Sequence, residues 1–193
     1  IDGIYEHFEY IRHPGRWKTV EKNLNRIEKE ENFDNLTAAF TLTLSTMNVL
    51  HVLDMIWWML EQDWKKIDKR MVIHNLYGPE HLNIQNLPQD AKIFVEHRYK
   101  QFIAVLNQKY GEPDEIAATH TICQRLQAVL DHMFAKDHNP ELWKKWFLEA
   151  DKYDKQRNEN WRETMPEIVE LLKETNEKNA RRSSVKLAKA GKK

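Results

Sequence analysis

The chain has 193 residues and a mass of 23.2 kDa, enough for one sizeable core or for one domain with appendages. It contains 30 Lys and Arg against 30 Asp and Glu, so overall charge argues for neither a nucleic acid nor a membrane as partner. The single cysteine, Cys123, excludes a disulfide framework and any cysteine-ligated zinc or iron–sulfur centre made by this chain alone, and it fits a reducing cytoplasm.

The first half of the chain alternates between helix and strand patterns. Apolar residues follow the spacing of an amphipathic helix over residues 17–27 and again over residues 53–64, with Asn48 as the predicted N-cap of the second helix. Residues 36–44 alternate apolar side chains with Thr and Ala, and residues 70–77, RMVIHNLY, contain the apolar run Met-Val-Ile and end at a Gly-Pro turn, so both segments are predicted strands. Strands separated by helices of this length predict parallel pairing in an α/β sheet.

Two parallel strands are too few for a sheet that helices cover on both faces. The strand pattern therefore looks truncated on its N-terminal side. Residues 81–88 are predicted as an extended connection, and every later pattern is helical. The predicted helices are residues 89–110 followed by Gly111 as C-cap, a segment beginning at Asp114, residues 140–157 with Asn139 as N-cap and Pro140 at the first helical position, and residues 166–172.

The end of the chain has a different composition. Residues 179–193 contain six Lys and Arg and no acidic residue. We expect residues 175–193 to form a solvated, disordered tail. Contact with a nucleic acid is the weaker alternative, because no aromatic side chain is interleaved there to stack on bases. The chain has no apolar run of about 18 residues, the length typical of a transmembrane helix, so no membrane span is expected.

Familiar catalytic and metal-binding motifs are missing from the sequence. Its nine histidines form no His-Glu-x-x-His pattern, and no two lie four residues apart on one predicted helix, so we predict no metal ligands. Neither a Gly-rich phosphate loop nor a nucleophile elbow is present, and we predict no catalytic residue. The tryptophans fall mostly on helical stripes, which favours packing in a core or an interface.

The remaining candidates follow the predicted strands, where parallel α/β folds bind their ligands. Asp2 and Asn48 offer oxygen atoms that accept hydrogen bonds from hydroxyl groups, and Arg12 offers a planar charged fork for a carboxylate. His74 and Asn75 lie in the C-terminal end of the second predicted strand, next to the turn at residues 77–79.

The opening stretch IDGIYEHFEYIRHPGRWKTVEKNL, residues 1–24, resembles a segment of radical S-adenosylmethionine enzymes that carry a twitch- or SPASM-type C-terminal extension. In that family the fourth barrel strand ends in a Ser-hydrophobic-Asp-Gly turn, followed by an Arg and a helix. Asp2 and Gly3 match the turn, and Arg12 matches the Arg. The exit STMN and the stretch MVIHNLYGPEHLNIQNLP resemble the fifth and sixth strands, and DKYDKQRNENWRETMPEIVELL resembles the closing segment of a phage and marine-bacterial subgroup.

The resemblance implies that residues 1–88 are the C-terminal part of a partial (β/α)6 barrel, with two to three parallel strands, and that residues 89–174 are a mainly α-helical extension. In the full-length parent a [4Fe–4S] cluster, held by cysteines spaced C-x3-C-x2-C, would bind S-adenosylmethionine. Reductive cleavage would give a 5′-deoxyadenosyl radical that abstracts hydrogen from a substrate. Neither that cysteine loop nor the Gly-Gly-Glu segment of the family is in this sequence, so we expect this chain alone to be inactive and to bind no cluster.

The resemblance also implies roles for the six candidate residues. Arg12 would steer the cofactor carboxylate or a polar partner near it, and Asp2 and Gly3 would shape the strand exit beside the ribose. Asn48 and the stretch containing His74 and Asn75 would lie near the adenosyl group. The expected partners are a substrate of unknown class, with peptides among the candidates, and the missing N-terminal barrel strands. The alternative is a stand-alone helical module without catalytic activity, whose aromatic stripes bind a partner protein.

Overall fold

The computed structural model describes residues 1–29, 37–111 and 116–173, with side chains left out at residues 116 and 117. Three parts of the predictions lie outside these residues: the predicted strand start at Leu36, the helix start at Asp114 and the basic tail at residues 175–193.

The described chain is an α/β structure that is mostly helical and contains a two-stranded parallel sheet. Its first elements are α1 (Tyr5–Ile11), α2 (Trp17–Lys29), β1 (Ala38–Leu44), α3 (His51–Glu61) and β2 (Ile67–Asn75). The strands pair in parallel, with Leu42 opposite Ile73 and Leu44 opposite Asn75. Both predicted strands and their parallel pairing are therefore confirmed.

The second half is helical, as predicted. It consists of α4 (Gln89–Lys109), α5 (Ile116–Phe134), α6 (Pro140–Arg157), α7 (Trp161–Thr164) and a last helical stretch, α8, at residues 166–173. The predicted start of α6 is confirmed, because the Asn139 side-chain oxygen accepts from the backbone nitrogens of Glu141 at 3.1 Å and Leu142 at 3.4 Å. None of the helices in these described ranges is both long and apolar enough to cross a membrane.

Several local predictions at element ends are wrong. Asn48 is not the N-cap of α3, since that position belongs to Leu50 and carries no side-chain hydrogen bond. Residues 81–88 are not extended, because two short 3-10 turns occur at Glu80–Leu82 and Ile84–Asn86. Gly111 does not form a left-handed cap, since no described glycine has a positive φ.

The buried side chains form one continuous core that includes both halves of the sequence. Leu42 and Leu44 of β1 are fully buried, and Met55 of α3 is buried with them. Trp146 of α6 and Trp161 of α7 belong to the same core, and their ring centroids are 5.0 Å apart. The helices of the second half therefore pack close to the residues that follow the strands.

Candidate binding site at the strand ends

The first two residues of the chain run along the edge of β1. The nitrogen of Ile1 donates to the Thr41 carbonyl oxygen at 2.9 Å, and the Thr43 nitrogen donates to Asp2 Oδ1 at 2.8 Å. Leu44 instead directs its carbonyl oxygen to the β2 side. Because successive residues of a strand direct their backbone groups to opposite edges, Ile1 and Asp2 lie on the edge of β1 opposite β2. Their order along β1 shows that this segment runs parallel to it.

A buried carboxylate positions Arg12 beside this edge. Asp2 is buried, and its Oδ2 pairs with the Arg12 guanidinium, whose side chain is half exposed. The other carboxylate oxygen, Oδ1, accepts from the Thr43 backbone. A guanidinium has five N–H donors, more than one carboxylate oxygen can accept. Asp2 thus fixes one side of the Arg12 guanidinium, and the other side faces solvent.

Asn48 lies beneath this pair and is almost completely buried. Its Oδ1 accepts from the Ser45 nitrogen at 2.7 Å, and its Nδ2 donates to the Asp2 carbonyl oxygen at 2.9 Å and to the Thr43 carbonyl oxygen at 3.0 Å. Both amide hydrogens are therefore used within the protein. Asn48 supports the site by joining the end of β1 to the N-terminal segment.

An open cavity of about 360 Å³ lies above these residues, at the carboxyl end of β1. The strand-end side of its wall includes Asp2, Arg12 and Ser45. The remaining wall residues come from α1, from the end of β1, from the connection after β2 and from α6: Tyr10, Ile11, Thr43, Met47, Leu76, Pro79, Leu82, Tyr153 and Arg157. The cavity therefore joins the strand ends to the helical second half.

Helix α6 supplies a second arginine to the cavity. Arg157 donates from Nη1 to the Tyr10 carbonyl oxygen at 3.1 Å, and its guanidinium lies over the Tyr153 ring at 4.7 Å from the centroid. The Tyr10 hydroxyl donates to Asp154 Oδ1 at 2.9 Å, and burial together with this carboxylate raises the Tyr10 pKa well above its usual range. Sequence reasoning missed Tyr10 and Arg157 as site residues, because no spacing connects positions so far apart in the chain.

The other three candidates lie away from the cavity wall. Gly3 packs against α3, where a Cβ atom would lie 3.2 Å from His51 Cδ2. His74 is exposed near the end of β2, opposite Thr43. Asn75 is half-buried, and its Oδ1 has no hydrogen-bond partner among the described residues. The structure thus brings Asp2 and Arg12 together above Asn48, and it leaves His74 and Asn75 outside the group.

A second polar cluster lies beside α3 and was not predicted. The imidazoles of His7 and His51 stack with centroids 3.7 Å apart and an interplanar angle of 4°. His7 Nε2 lies 2.9 Å from the Met47 carbonyl oxygen and 3.3 Å from Glu167 Oε1. The cluster joins α1, α3 and α8, so sequence spacing alone could not reveal it.

Burial controls the protonation of this cluster. It lowers the pKa of His7 to about 4 and that of His51 to about 3, so both rings are neutral at pH 7. Burial also raises the pKa of Glu167 to about 7, and the nearby carboxylate of Asp54 adds to that effect. The cluster thus combines two neutral imidazoles with a carboxyl group that titrates near neutrality.

Comparison of the chain with protein-family models, with curated proteins and with solved structures found no match.

Proposed function

We propose that this chain forms the C-terminal wall of the cofactor site in a radical S-adenosylmethionine enzyme. The observation that carries the proposal is Arg12, held by the buried carboxylate of Asp2 at the mouth of a cavity beside the strand ends. An arginine oriented in this way is suited to bind a carboxylate such as that of the methionine moiety. Parallel α/β folds bind ligands at this end of their strands.

The strand arrangement supports a partial barrel. The order along the sheet would be the Ile1–Asp2 segment, then β1, then β2, all running in the same direction. This is the order that the resemblance implies for the fourth, fifth and sixth strands of the barrel. In the full-length parent, strands before Ile1 would complete the sheet.

The residues present fit S-adenosylmethionine better than they fit the cluster that cleaves it. Arg12 would bind the cofactor carboxylate, and Arg157 and Tyr153 would line the opposite wall. Cys123 is the only cysteine in the sequence, and three are needed to hold a [4Fe–4S] cluster of this family. The cluster ligands would therefore belong to the missing strands, and this chain alone would be inactive.

A substrate with peptides among its candidates and a cytoplasmic location belong to the same proposal. The cytoplasm is the compartment that fits a chain with one cysteine.

Binding of S-adenosylmethionine to the isolated chain tests the carboxylate contact. We expect calorimetry to detect binding that Arg12→Gln weakens at least tenfold. Arg16→Gln is the matched control, because Arg16 is exposed and pairs with Glu9 at 3.0 Å away from the cavity. If adenosine binds as well as S-adenosylmethionine, or if both variants bind like the wild type, the assignment of Arg12 fails.

The coding sequence upstream of Ile1 tests the wider proposal. We expect a reading frame that continues upstream into a C-x3-C-x2-C motif. A start codon with a ribosome-binding site directly before Ile1 would contradict the proposal and favour the stand-alone helical interaction module.

A further inference from the structure

The cluster of His7, His51 and Glu167 contains ligand atoms that all lie within 4.8 Å of one another. None of the three residues lines the cavity beside Arg12. The cluster is therefore a separate place in the fold, and its chemistry does not depend on the proposed cofactor site.

We propose that His7, His51 and Glu167 bind a divalent transition-metal ion of the zinc type. Two imidazoles and one carboxylate form a ligand set that suits Zn²⁺, and a fourth position remains for an oxygen ligand. The three ligands come from α1, α3 and α8, so the ion would join the first helix of the chain to the last described one.

The cluster has more hydrogen-bond acceptors than donors. His7 Nε2 carries at most one proton, yet it faces both the Met47 carbonyl oxygen at 2.9 Å and Glu167 Oε1 at 3.3 Å. Glu167 Oε1 is buried and has no hydrogen-bond partner in the described part of the chain. A buried acceptor without a partner is costly, and a cation would satisfy it.

The distance between two of the ligand atoms also fits a metal ion. Two ligands about 2.1 Å from a tetrahedral ion are separated by roughly 3.4 Å. The separation of His7 Nε2 and Glu167 Oε1 is 3.3 Å. These two atoms therefore need little movement to share an ion.

His51 must move more than the other two ligands. A ring nitrogen donates its lone pair in the ring plane, so two stacked, parallel rings cannot direct both lone pairs at one ion. His51 Nε2 now accepts from the Ile4 nitrogen at 3.1 Å, and His51 Nδ1 lies 3.8 Å from Asp54 Oδ2. Metal binding would turn the His51 ring, exchange the Ile4 hydrogen bond for a metal bond and end the stacking on His7.

Titration of the full chain with CoCl2 and ZnCl2, after removal of metals with a chelator, tests the proposal. We expect one Co²⁺ per chain, with the visible absorption bands of four-coordinate cobalt, and displacement of Co²⁺ by Zn²⁺. Glu167→Gln and His51→Asn should each lower the affinity for Zn²⁺ at least tenfold. Imidazole NMR signals of the wild type should shift on Zn²⁺ binding as the two rings separate.

Two exposed residues provide matched controls. Glu141 is exposed on α6 and pairs with Lys144, and His97 lies on the surface of α4. Glu141→Gln and His97→Asn should bind Zn²⁺ like the wild type. Circular dichroism checks that each variant is folded. Absence of stoichiometric Co²⁺ and Zn²⁺ binding by the folded wild type, or equal weakening by the control variants, would overturn the proposal.

Discussion

The side-chain amide of Asn48 donates to the backbone oxygen of Asp2 at 2.9 Å and so joins the beginning of the chain to the turn after β1. The same amide group binds Ser45 and Thr43. Because Asp2 in turn holds Arg12, the position of the guanidinium depends on a residue that does not itself line the cavity.

Replacement of Asn48 by Ala should destabilise the protein strongly. The change removes four hydrogen bonds and leaves buried backbone groups without partners, at a cost of roughly 2–4 kcal/mol in the free energy of unfolding. Asn86→Ala is the control, because the half-exposed Asn86 side chain donates one hydrogen bond, to the Glu80 carbonyl oxygen, and should cost under about 1 kcal/mol. Urea denaturation measures the free energy of unfolding of both variants. An equal loss of stability in the two would contradict the role given to Asn48.

Two positions of α6 that are two residues apart should differ sharply in their tolerance of alanine. Trp146 is 1% exposed and contacts Trp161, whereas Leu148 is 71% exposed. Trp146→Ala should cost about 3–5 kcal/mol, because it leaves a large cavity. Leu148→Ala should change the free energy of unfolding by less than about 0.5 kcal/mol. Thermal denaturation followed by circular dichroism compares them, and a similar melting temperature for the two variants would show that α6 is packed differently.

A methyl group at Gly3 should disturb the contact between the N-terminal segment and α3. The new Cβ would lie 3.2 Å from His51 Cδ2 and 3.3 Å from the Phe8 nitrogen. We expect Gly3→Ala to cost about 1–3 kcal/mol through overpacking. At Gly78 a Cβ would have no neighbour within 4 Å, so Gly78→Ala should be nearly neutral. Chemical denaturation of the two variants provides the measurement, and an unchanged midpoint for Gly3→Ala would count against this close packing.

Glu167 should make the metal-free protein less stable as the pH rises. Its pKa is about 7 in the folded protein and near 4.5 without burial, so the folded state holds an extra proton between these values. The contribution is present below pH 4.5 and is lost through pH 7, with a slope of at most about 1.4 kcal/mol per pH unit. Denaturation in the presence of EDTA from pH 4.5 to 8 should show this decline for the wild type and a smaller one for Glu167→Gln. Parallel profiles for the two proteins would refute the assignment.

His51 should have the opposite effect to Glu167 and make the metal-free protein less stable as the pH falls. Burial lowers the pKa of His51 from 6.5 to about 3, so below pH 6.5 the unfolded chain binds a proton that the folded chain does not. The stabilising contribution is therefore present above pH 6.5 and is lost as the pH falls towards 3. In the presence of EDTA, the free energy of unfolding should fall less steeply with decreasing pH for His51→Asn than for the wild type. Measurements at pH 6.5, 5.5 and 4.5 compare the two proteins. If His51→Asn loses stability as steeply as the wild type at low pH, groups other than His51 cause the loss.

The fold was predictable where the signal is local. The period-two pattern of β1 and the Asn139–Pro140 start of α6 require only neighbouring residues, and both predictions are confirmed. Helix α1 was missed because its seven residues make only about two turns, too few to display a helical period. Of the residues predicted for the candidate site, Asp2 and Arg12 line one cavity, whereas the backbone contacts of Asn48 follow from no sequence pattern. That Asp2 and Arg12 bind a cofactor stays a prediction.

The hydrogen bond from Tyr10 to Asp154 joins α1 to α6 across 144 residues of sequence. A chain divided in the loop after β2 would carry the hydroxyl on one piece and its acceptor on the other, and each piece alone would expose apolar surface. Fragment complementation would therefore report whether the two pieces recognise each other, with Tyr10→Phe as a gentle way to weaken the reassembled protein.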